Sequence, residues 1–139
     1  MSRATPVSID VYKTKWFARF ARKARIDDQA LWKAAAAANS GVVDADLGSG
    51  IIKQRVARQG EGKSGGSRTF LVIRKQDRAV YVFGFEKKDR ANIGPDEWEA
   101  LKKLAKEILG YNEADIAKNI RTGELVKVDG VEEGNGQEI

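Results

Sequence analysis

The chain has no cysteine and no histidine among its 139 residues. Without cysteine there can be no disulfide framework, a usage that suits the reducing cytoplasm. Without histidine the common metal ligand and the usual general base near neutral pH are both missing. Zinc chemistry and Ser-His or Cys-His catalysis are thereby excluded, and no cofactor is expected. Long apolar runs are absent too. No stretch approaches the length of a membrane span, and no N-terminal apolar segment resembles a signal peptide.

What is present reads as a folded globular chain, with 42% hydrophobic and 32% charged residues. One domain over residues 1–128 is expected. The acidic, glycine-bearing stretch 129–139 is expected to be a disordered tail. The net charge of +5 hides an asymmetry. Residues 51–90 hold eleven basic and four acidic side chains, whereas residues 110–139 hold three and seven. A same-sign excess of that size in the middle of the chain favours a polyanionic partner.

Within the basic segment lies GEGKSGGSR, residues 60–68, whose Gly62-Lys63-Ser64 resembles the end of a phosphate-binding P-loop. That motif requires a glycine at the position of Ala57, and a helix after the loop to meet the phosphates. Thr69-Phe70-Leu71-Val72-Ile73 follows instead, β-branched and aromatic, and predicts a strand. The loop therefore joins two strands and presents no helix dipole to a nucleotide.

Alternation over 9–13 predicts a first strand. A helix capped by Thr14 follows, with Trp16, Phe17, Phe20, Ala21 and Ala24 as its apolar stripe. Asp27 and Asp28 open a second helix that ends at Asn39-Ser40-Gly41. Strands are predicted over 51–58, 69–74 and 79–85, forming an antiparallel meander. Pro95 starts a helix with Asp96 and Glu97 at its positive end, and Gly110 ends it. A short helix over 113–120 and a strand over 125–128 complete the pattern. The fold class is α+β, with two N-terminal helices packed on one face of a twisted antiparallel sheet and a helix near the C-terminus. Trp16, Trp32 and Trp98 read as core residues, and Arg74, Lys75 and Arg78 as a solvated turn.

In a meander the first and third strands end at one edge, so FEKKDR (85–90) can meet the glycine-rich loop. Arg55, Arg58, Lys63, Arg68, Lys87, Lys88 and Arg90 then flank one rim, with Phe85 as a possible stacking surface. Clustered cations hold backbone phosphates, an aromatic adds stacking on a base, and glycines permit close backbone approach. Arg90 could equally pair with Asp89 or Glu86.

GIIKQRVARQGEGKSGGSRTFLVI, VYVFGFEKKDRANI and LKKLAKEIL together resemble the toxin subunit of a type II toxin–antitoxin module. The likeness is to the RelE/HigB group of the RelE/ParE superfamily and extends over roughly Ile9 to Val128. It implies a fold like a reduced microbial ribonuclease and a ribosome-dependent mRNA endonuclease. Such an enzyme needs no metal. It sets the ribose 2′-hydroxyl against the adjacent phosphate, leaving a 2′,3′-cyclic phosphate and a 5′-hydroxyl. The implied partners are a cognate antitoxin, bound in a hetero-oligomer, and the ribosome with its message. Carried over by position, the implied catalytic residues are Arg68, Lys63, Arg90 and Lys88, and the RNA-binding ones Arg55, Arg58, Lys87 and Phe85. The better-known branch has a base-stacking tyrosine after the last basic cluster, where this chain reads Ala91-Asn92-Ile93-Gly94. A gyrase-targeting toxin of ParE type and a non-catalytic nucleic-acid-binding module are the alternatives.

Overall fold

Residues 9–62 and 66–130 are described by the structure, a computed structural model. Lys63 and the tail from 131 lie outside the described residues. Local chemistry sets the helix starts. The Thr14 hydroxyl accepts from the Phe17 N–H at 3.1 Å and opens α1 (Lys15–Ala24). Arg25, left-handed at φ 60°, ends it. The Asp27 carboxylate caps α2 (Asp28–Asn39) through the Ala30 N–H at 2.9 Å. Pro95 occupies the first turn of α3 (Pro95–Leu109), where the Glu97 carboxylate accepts from the Gly94 N–H at 2.8 Å. Asn112 and Asp115 cap α4 (Glu113–Arg121) reciprocally.

The strands are β1 (Asp10–Thr14), β2 (Ala45–Gly48), β3 (Ile51–Val56), β4 (Ser67–Arg74), β5 (Arg78–Phe85) and β6 (Leu125–Val128). They form one six-stranded sheet in the order β2-β3-β4-β5-β1-β6. The meander β3-β4-β5 is antiparallel, as its short connections require. The sheet as a whole is mixed: β1 runs parallel to β5, with Val11 opposite Ala79, and β6 returns antiparallel to β1. The expectation of an antiparallel sheet is corrected here. Two helices separate β1 from the meander in sequence, a crossover long enough to bring it back in parallel. β2, a short edge strand on β3, has no expectation to match.

Both faces of the sheet are covered, which corrects the one-face expectation. Phe17 and Ala21 of α1 and Leu31, Ala35 and Ala38 of α2 pack on Val11, Ile52, Leu71, Ile73 and Tyr81. On the opposite face Leu101, Ala105 and Ile108 of α3 and Ile116 of α4 pack on Tyr12, Ile51, Phe70, Val72, Val80 and Val82. Strands covered on both sides need apolar residues at nearly every position, hence the near-continuous runs in β4 and β5.

A bulge in β5 interrupts the alternation. Phe70 pairs with Phe83, but Leu71 pairs with Tyr81, so Val82 is the extra residue. Before the bulge Val80 and Val82 face α3, and after it Phe83 and Phe85 do. Gly84 then faces α1, where a Cβ would stand 2.6 Å from the Phe20 ring.

The turn between β4 and β5 is more than solvated charge. Arg78 is 6% exposed and donates to the carbonyls of Ile108 and Tyr111 at 2.9 and 2.8 Å. Arg74 donates to the Leu109 carbonyl at 2.9 Å. Two guanidinium groups thus donate to carbonyls at and just beyond the negative end of α3, where the Ile108 carbonyl also accepts from the Tyr111 N–H. Trp16 is 42% exposed, stacked on Phe83 at 4.9 Å, and so is no interior residue. Among the described residues no helix is long and apolar enough to cross a membrane.

Candidate nucleic-acid interface

Pairing across the meander lines up the rim nearest the glycine-rich loop. Arg55 stands opposite Arg68, and Arg68 opposite Phe85. The preceding row on the same face holds Lys53, Phe70 and Phe83. Two arginines directly opposed across strands repel each other, a cost that a packed sheet would ordinarily avoid. Asp44 offsets part of it. Its carboxylate accepts from the Arg55 backbone N–H at 2.6 Å and from the Arg55 guanidinium at 3.3 Å. Lys53, Arg55, Arg68, Asp44 and Ala45 line a cavity of about 290 Å³.

Arg68 is half-buried. Its guanidinium donates to the Gly66 carbonyl at 2.8 Å, which ties the side chain to the root of its own strand. Among the described residues it makes no salt bridge, so its remaining donors are open to an anion. Gly66 itself is constrained, because an added Cβ would collide with the Val56 carbonyl.

The pleat divides the cations expected at this rim. Ser67 and Glu86 face the α1 side. There the Glu86 carboxylate accepts from the Ser67 hydroxyl at 3.1 Å and from the Arg58 guanidinium. Arg58 is therefore neutralised on the face opposite Arg55 and Arg68. The bond does bring the turn after β5 to the end of β3. The same Glu86 closes that turn through its carbonyl, which accepts from the Asp89 N–H at 3.0 Å and the Arg90 N–H at 3.4 Å. Lys87 and Lys88 are exposed on it.

Arg90 pairs with Glu97, rather than with Asp89 or Glu86, through two hydrogen bonds of 2.8 and 2.9 Å. The hydrogen bonds that Arg90 donates to Glu97 raise the Arg90 pKa further and hold the Glu97 carboxyl below its usual range. The guanidinium lies over Phe83 and Phe85, 5.4 and 5.1 Å from the ring centroids. Phe85 is only 5% exposed beneath it, so its ring face is occupied by a cation.

Lys53 escaped the sequence reading. It is two residues before Arg55 on one strand, and period-two alternation was the signal that puts both on one face. The sequence places Glu97 at a helix start but not its pairing with Arg90, which depends on that start meeting a turn seven residues earlier.

The chain matches the family model described as the RelE toxin of the RelE/RelB toxin–antitoxin system, over residues 9–128. The chain belongs to this family. It is accordingly a RelE-type toxin of a toxin–antitoxin system, and an antitoxin is its implied partner. The match runs from the residue before β1 to the end of β6, so every element described above belongs to the RelE unit. No curated protein matches the chain.

Proposed function

We propose that this RelE-family chain is a ribosome-dependent mRNA endonuclease that inhibits translation in the cytoplasm until its antitoxin binds it. The observation that carries the reading is Arg68: held at one end by Gly66, opposed by Arg55, neighboured by Lys53 and without a carboxylate partner among the described residues. Such an arrangement fits a phosphate.

In the proposed reaction the ribose 2′-oxygen attacks the adjacent phosphorus while the bond to the 5′-oxygen breaks. The proton of the 2′-hydroxyl goes to an acceptor, and a donor protonates the departing oxygen. The products are a 2′,3′-cyclic phosphate and a 5′-hydroxyl. The phosphorane passed on the way carries more charge than the diester, so donors fixed in advance lower the barrier. Arg68 supplies a planar fork for two of its oxygens. Lys88 brings further charge from the turn after β5, and Lys63, outside the described residues, keeps the role that the family resemblance implies. Arg90, already held by Glu97, keeps a fixed positive field over Phe83 and Phe85. Arg55 and Lys87 attract and align the message backbone.

Induction of the wild-type chain should arrest growth and leave message fragments with 5′-hydroxyl ends inside translated codons. Arrest without such ends would favour the gyrase-targeting alternative, and the absence of both would favour a non-catalytic module.

A further inference from the structure

Beside the cationic cavity lies a second one, of about 450 Å³, whose walls include Lys53, Phe70, Asn92, Ile93, Pro95 and Trp98. The two cavities share Ala45 and Lys53. We propose that this second cavity seats a base of single-stranded RNA against Trp98, while the neighbouring phosphate lies on Lys53, Arg55 and Arg68. The proposal rests on the reading of the cationic rim as a phosphate site and names the part of the substrate held next to it.

Spacing supports it. Lys53 and Phe70 form the row adjoining Arg55 and Arg68 on the same face. Rows two residues apart are separated by roughly 6.6 Å. That is the scale on which a nucleotide separates its base from its own phosphate. Lys53 stands between the two chambers, where one ammonium can contact the linking phosphate or sugar. The chemistry of the walls is also divided: one chamber is cationic, and the other is apolar and aromatic with one amide. The Asn92 amide can both donate to and accept from a base edge.

The cavity wall is built rather than loose. The Asn92 side-chain oxygen accepts from the Ile93 N–H at 2.9 Å, the Gly94 N–H donates to Glu97 at 2.8 Å, and the Trp98 backbone N–H donates to the Gly94 carbonyl at 3.0 Å. Glu97 in turn grips Arg90. A site fixed before binding spends less on ordering. Phe85, the aromatic expected to stack, is buried under Arg90, whereas Trp98, with the Lys102 ammonium 5.7 Å from its ring centroid, still lines the cavity. Trp98, read from the sequence as core, is only partly buried at the margin of the core.

The test compares two fluorescein-labelled hexamers by anisotropy, one of 2′-O-methyl RNA and one of the same length and charge lacking bases. The wild-type chain should bind the base-bearing hexamer more tightly by about 5- to 150-fold, the worth of one stacked base. Trp98→Leu should abolish that difference and leave affinity for the abasic hexamer unchanged, while Trp98→Phe should keep most of it. Circular dichroism melts establish that the variants fold. Equal wild-type affinity for the two hexamers, or a Trp98→Leu variant that keeps the difference, overturns the base seat. If that equal binding still falls steeply with salt, the phosphate reading stands alone. If neither hexamer binds, both readings fall.

Discussion

Arg68 and Gly66 act as a pair. The glycine's missing Cβ lets the chain pass against the Val56 carbonyl, and its own carbonyl holds the arginine. Removing a fixed donor to a phosphorane costs about a hundred- to a thousandfold in rate. Arg68→Ala should therefore abolish growth arrest while its melting curve stays close to wild type. Arg68→Lys should recover only part of the activity, because a point charge cannot bridge two oxygens. A folded Arg68→Ala protein with full toxicity would remove Arg68 from the site. Gly66→Ala acts differently: its methyl meets backbone that cannot rotate away, with an expected loss of about 1–3 kcal/mol of stability. Chemical denaturation reads that loss, and an unchanged midpoint would show that the loop yields freely.

At the scale of elements, the arginines of the β4–β5 turn decide where α3 ends against the sheet. Arg78→Leu takes the guanidinium donor from the Tyr111 carbonyl and leaves the Ile108 carbonyl with the Tyr111 N–H alone, and about 1–3 kcal/mol is the expected cost. A thermal melt indistinguishable from wild type would show that water replaces the guanidinium. The start of α3 has its own clamp in Glu97, whose folded pKa is depressed by Arg90. A depressed carboxyl contributes stability above its unfolded value and loses it as pH falls through the folded one. Glu97→Gln should therefore flatten the acid side of the stability profile below the ordinary carboxylate range. Equal acid sensitivity of the two proteins would rule the clamp out.

For the whole molecule, charge and topology act together. The positive segment 51–90 folds into the meander, so Arg55, Arg68, Lys87, Lys88 and Arg90 reach one end of the sheet, while Arg74 and Arg78 stand at the other and the pleat sends Arg58 to the face opposite Arg55 and Arg68. Affinity for ribosomes should fall steeply with salt as counterions are released, in proportion to the phosphates contacted. A flat salt response in co-sedimentation would contradict a polyanionic partner. Residues 131–139 follow Gly130, which lies against Trp32 of α2, and neither of these two residues lines either cavity. Deleting them should leave unfolding cooperative and growth arrest intact, and loss of either would show that the tail packs.

Local chemistry was enough to mark most of the elements. Thr14, Asp27 and Pro95 announce helices because capping depends on neighbours within one turn, and the meander follows from short connections between apolar runs. The absence of histidine and cysteine bounded the chemistry, and the clustered cations pointed to a phosphate-bearing partner. The parallel entry of β1 beside β5, the cover on both faces and the burial of Arg78 depend on residues far apart in the chain, which no local period encodes. The bulge at Val82 is the sharpest case. One extra residue turns Phe83 and Phe85 towards Arg68 and Arg90, and Gly84 towards Phe20. Since alternation cannot reveal where it breaks, the sequence determined which groups were available and the tertiary pairing decided which of them meet.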